Sequence, residues 1–145
     1  MSRNLLRIVL TSILLTFLLL AGCGREAPSP SLPAGSLAEF YPGQLSAVDR
    51  IDIRSGMTGE WRTVTDPKVI RDGLAEAGEL RFSPDPSQAE RTGYTYMVIL
   101  LEQGEEKFSL LPHAIGEHYY ISDPKLSPLL DRLFEAGTKP VPGRG

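Results

Sequence analysis

One cysteine in 145 residues decides how this chain has to be held together. Cys23 has no partner within the chain, so no disulfide is available to staple a small unit. Its stability must come from apolar faces packed against one another, and the patterning that builds such faces is concentrated in residues 46–137.

Ile51-Asp52-Ile53-Arg54 alternates strictly, which predicts a half-buried strand, and Glu60 to Val64 reads as its partner across the turn-rich Ser55 to Gly59. Asp66-Pro67 is a helix start, with Asp at the N-cap and Pro at the first helical position, where its missing N–H costs nothing. Ile70, Leu74 and Ala77 share one face and Gly78 reads as a stop, so the spacing predicts a helix over 66–77. Leu80-Arg81-Phe82 is a short apolar piece before a Pro-rich loop. Thr92 to Leu101 is the strongest strand, with Tyr94, Tyr96, Val98 and Leu100 on one side and Thr95, Met97, Ile99 and Leu101 on the other. Both sides turn apolar toward its end, as in a central strand. Glu102-Gln103-Gly104-Glu105 then turns into a strand over 107–111, ended by Pro112, and 117–121 is the last strand.

Asp123-Pro124 repeats the helix start, and Leu126, Leu129, Leu130, Leu133 and Phe134 form a stripe stopped by Gly137. Pro128 places the helix at 128–136, with 124–127 as an extra turn. The expected fold class is α+β: an antiparallel sheet of about five strands with two helices on one face.

Ahead of this unit, Arg3 and Arg7 precede an apolar run, Ile8 to Leu20, too short for the roughly 20 residues that cross about 30 Å of hydrocarbon. The tripartite pattern is that of an export leader. Leu20-Ala21-Gly22-Cys23 resembles the lipobox of bacterial lipoprotein precursors, the substrates of signal peptidase II. The resemblance covers residues 1–23. It implies that 1–22 is a signal peptide, that Cys23 becomes an acylated N-terminus, and that the protein is lipid-anchored on the extracytoplasmic face of a cell membrane. A Gram-negative cell would allow the outer membrane. In outline the remainder is similar to small Gram-positive lipoproteins of unassigned function, which carries over no catalytic residue. Pro28, Pro30, Pro33 and Pro42 predict a tether over 23–45, whose Phe40 and Tyr41 either dock onto the domain or sit at the lipid interface, and 138–145 reads as a frayed tail.

Removing 1–22 takes away two of the 15 basic residues and none of the 18 acidic ones, moving the net charge from −3 to −5. With its basic residues scattered among acids, the chain excludes nucleic acid as a partner. There is no Gly-x-Ser-x-Gly, no HExxH, no CxxC and no phosphate-cradling glycine loop, and no cofactor is expected beyond the acyl group on Cys23. His113 and His118 flank Gly116 beside Glu117, at most three ligands on a loop where zinc needs three or four in fixed geometry. Glu102, Glu105 and Glu106 crowd a hairpin tip without the spacing of a calcium loop. The aromatic residues are more suggestive. Trp61, Tyr94, Tyr96 and Tyr119 lie on expected strands and make a candidate binding surface, with Tyr94 and Tyr96 on one face and Tyr119 and Tyr120 on opposite ones. The expected function is a non-catalytic binding or adaptor domain for an envelope protein or cell-wall ligand. The alternatives are a hydrolase using His113 or His118 with a nearby acid, and a structural spacer.

Overall fold

The computed structural model of the chain describes residues 31–140. The alternation at its centre does what it predicts. β2 (Arg50–Ser55) buries Ile51, Ile53 and Ser55 in turn and pairs antiparallel with β3 (Trp61–Val64) on one side and β5 (Tyr96–Glu102) on the other. Gln103 and Gly104, at φ 52° and 83°, return β5 into β6 (Glu105–Leu111). Two consecutive left-handed residues match the twist of the flanking strands, and Gly supplies one of them at no steric cost. β7 (Ala114–Ile115) and β8 (His118–Ser122) follow, β4 (Arg81–Pro84) pairs with β8, and β1 (Gly35–Ser36) pairs with β4. The order is β1-β4-β8-β7-β6-β5-β2-β3. The sheet thus has eight strands rather than about five. The additions, β1, β4 and β7, are two to four residues long, too short for a period of two to be visible in the sequence.

Asp66 caps α2 (Pro67–Glu79) by accepting the N–H groups of Lys68 and Val69 at 2.8 and 3.1 Å. Gly78 does not stop this helix. It lies inside it, where a Cβ would come within 3.0 Å of Leu45, so the glycine serves close packing and Leu80 is the cap. α3 (Leu126–Ala136) begins earlier than residue 128, because Asp123 collects the N–H groups of Lys125 and Leu126 and Pro128 sits in the first turn, where a missing donor is harmless. Gly137 ends it as expected. The buried apolar residues of the helices join Ile51, Ile53, Val64, Val98, Leu100 and Leu110 in one cluster on one face of the sheet. Among the described residues no helix is long and apolar enough to cross a membrane.

The tether expected over 23–45 is overturned for its second half. The compact unit begins at Leu32, and residues before 31 lie outside the described part. β1, α1 (Leu37–Phe40) and a 3-10 turn (Leu45–Ala47) make this segment a structural element, with Leu37 and Tyr41 only 3% and 5% exposed. Phe40 meets Phe82 and Tyr120 edge-on at 6.1 and 5.3 Å, and the Tyr41 hydroxyl donates to Glu102 at 2.5 Å. Burial, more than the Glu102 carboxylate, pushes the Tyr41 hydroxyl well above its ordinary pKa. Pro33 and Pro42 flank the short helix instead of interrupting it, which is why composition mimicked a linker. At the other end, the tail expected over 138–145 is pinned where it starts. Thr138 and Thr63 exchange both backbone hydrogen bonds, at 2.8 and 2.9 Å, so the outer edge of β3 is occupied.

Leu37→Ala is expected to cost about 2–5 kcal/mol in urea unfolding, the range for a buried leucine. A residue in a mere tether would shift stability by under about 0.5 kcal/mol.

Candidate functional site

No helix covers the second face of the sheet among the described residues. Register places Trp61, Arg54 and Met97 in one row across β3, β2 and β5, with Thr63, Asp52 and Ile99 in the next. Leu111 extends the first row by one position beyond the Val98–Leu110 pair. The Arg54 guanidinium lies 5.8 Å from the centre of the Trp61 ring, and its Nε is buried with no hydrogen-bond partner. Leaving such a donor unmet costs about 1–3 kcal/mol. The neighbouring cations are spoken for: Arg50 pairs with Asp52 at 2.8 Å and Lys107 with Glu105 at 2.6 Å. Met57, at the tip of the β2–β3 hairpin, is 89% exposed. An apolar strip of this kind, rimmed by charge, is what interaction faces look like.

Tyr119 shares this face but stands five strands from Trp61, about 24 Å at 4.8 Å per strand. It organises its own small site. The His113 ring stacks on it at 6.0 Å and 7°, and the Arg91 guanidinium lies 4.9 Å from its centre. Gln88 bonds both the N–H and C=O of Tyr119, as a neighbouring strand would, at 2.9 and 3.0 Å. Arg91 is neutralised by Asp85 at 2.8 Å. The N–H of Ser87, and then Arg91, hold the Asp85 carboxyl below its ordinary pKa. The groove beside Tyr119, lined also by Tyr94, Leu111 and Glu117, encloses about 210 Å³. Small-molecule sites usually start near 300 Å³, so this one is undersized. A larger hollow of about 520 Å³ follows the seam between α2 and residues 38–49, but its lining of Leu45, Val48, Ile70 and Leu74 offers no unmet polar group.

The four expected binding aromatics therefore separate. Trp61, Tyr94 and Tyr119 line the open face or its groove. Tyr96 is turned to the core side, packed on Phe134 at 5.6 Å and donating to Asp131 at 2.7 Å, with its hydroxyl pushed up to about 12 by burial and then by that bond. Tyr94 and Tyr96 do not share a face because the chain bends at Thr95 before β5 begins. Tyr119 and Tyr120 do face opposite ways, Tyr120 being buried in the core. His113 and His118 line different depressions, His118 keeping company with Lys107, Phe108 and Ile115. Among the described residues no three His, Cys, Asp or Glu side chains are placed to hold a metal. At the acidic hairpin, Glu102 is committed to Tyr41 and Glu105 to Lys107. Leu20, Ala21, Gly22 and Cys23 lie outside the described residues.

Sequence reasoning missed Arg54, Met57 and Met97, although the alternation that buries Ile51 and Ile53 already sends Arg54 outward. Arg91 carries no local signal, since its place depends on a loop folding back on Tyr119. No protein-family model, no curated protein and no solved structure matches the chain.

Two outcomes are expected. Gly56→Ala should displace the Tyr94 segment, because a Cβ there would stand 1.7 Å from the Tyr94 carbonyl oxygen; loss of the Gly56 to Thr95 amide hydrogen bond in hydrogen exchange measures it. The Asp85 tie, lowered in pKa by folding, contributes fully above its ordinary value of 3.8 and weakens as pH falls through the lowered one. The protection of the Arg91 amide, the slowing of its exchange relative to an unfolded chain at the same pH, should fall below about pH 4 in the native chain and lose that pH dependence in Asp85→Asn.

Proposed function

We propose that this chain is a lipid-anchored extracytoplasmic lipoprotein whose folded unit is a non-catalytic binding or adaptor module for an envelope protein or cell-wall ligand. The observation that carries the binding reading is the open sheet face, where Trp61, Met97, Ile99 and Leu111 lie without a covering helix, with Met57 exposed at the tip of the β2–β3 hairpin. The four strand side chains are half-buried in the sheet, and the rest of their apolar surface is removed from water only when something else covers the face. The anchor rests on Leu20-Ala21-Gly22-Cys23. With the unit beginning at Leu32, only residues 24–31 separate Cys23 from it. At no more than about 3.5 Å per residue, that spacer reaches roughly 30 Å, so the module works close to the lipid headgroups. Two or three acyl chains hold far more firmly than the marginal binding of one.

Cys23→Ser is expected to move the protein from the membrane fraction to the medium and to remove the acyl mass from the mature N-terminus. Unchanged membrane retention with no acyl mass on Cys23 in the native protein would refute the anchor.

A further inference from the structure

Arg54 stands apart from every other charged group on the open face. Its guanidinium lies 5.8 Å from the centre of the Trp61 ring, and its Nε is buried with no hydrogen-bond partner among the described residues. Arg50 and Lys107 are matched with acids, so the face carries one unmet cation set in apolar surroundings. We propose that the open face binds an apolar peptide segment of another protein that brings a single carboxylate to Arg54 and lays a bulky side chain across Trp61 and Met97. This inference rests on the binding reading above and names the chemistry of its ligand.

The charge pattern selects this occupant. A polyanion, whether a phosphate-rich polymer or an anionic lipid surface, is held by clustered cations, and the face offers one while the whole chain is net negative. Small molecules favour concave sites that wrap most of their surface, whereas the row Trp61-Arg54-Met97 lies across three paired strands of an open sheet. The Arg54 guanidinium, 5.8 Å from the centre of the Trp61 ring, is a planar fork of donors suited to grip a carboxylate with both oxygens. Met97, the register partner of Arg54 on β5, supplies adaptable thioether surface beside it.

The test is to pan short random peptides against the full chain and against its Arg54→Gln and Trp61→Ala variants, all shown to be folded by circular dichroism. The native chain should enrich apolar peptides with one Asp or Glu beside an aromatic or branched residue. These should bind about ten-fold more weakly to R54Q, and replacing their acid by its amide should weaken binding to the native chain equally and to R54Q not at all. As Trp61 is the only tryptophan, its fluorescence reports occupancy directly. Peptides that lack an acid yet still depend on Trp61 would overturn the role of Arg54 and leave the binding face standing. No enrichment on the native chain would overturn both. Arg54-dependent sedimentation with phosphatidylglycerol vesicles, or Trp61 fluorescence that changes on deleting residues 141–145 without peptide, would replace the partner with a lipid surface or with the chain's own end and overturn the proposal.

Discussion

The structure depends on covering one face of a wide sheet with very little helix. Eight strands at 4.8 Å span about 38 Å, and two helices of ordinary girth cover about 20 Å of that. The shortfall is met from residues 35–47 and by aromatic rings. Phe40 caps Phe82 and Tyr120 over β4 and β8, while Tyr41 lies on Phe108 and reaches Glu102. In a chain without disulfides these contacts do the work of a third helix. That is why a Pro-rich, linker-like stretch turns out to be core.

The same arithmetic leaves nothing to cover the other face. Side chains there shield each other in rows, with the Arg54 guanidinium 5.8 Å from the centre of the Trp61 ring and no layer above them. Where a loop does fold back, over Tyr119, it meets its obligations internally: Gln88 imitates a strand and Asp85 answers Arg91. The two ends of the face thus differ in kind, one complete in itself and one with a donor still unmet.

What the sequence made legible was whatever repeats with a period. The alternation of Ile51 and Ile53, the Asp66 cap and the leucine stripe of α3 each state their structure locally. The two-residue strands do not, because only their neighbours make them strands. Gly78 shows the opposite failure: a residue that elsewhere ends helices is here the one that lets Leu45 approach. Of the candidate site, Trp61 and Tyr119 were legible as outward aromatics. Tyr96 was not separable from Tyr94, since a bend at Thr95 has no composition of its own. Arg54 was visible as an outward residue but not as an unpaired one, because pairing is a property of the assembled face.

The outer edge of β3 bears on how copies of this protein meet. Thr138 takes both backbone groups of Thr63 in an isolated antiparallel bridge. At the far end of the sheet, β1 is only two residues long. Bare strand edges are templates along which copies of a chain can zip together into ribbons. With one edge bridged at Thr63 and the other only two residues long, little bare strand is left for such pairing.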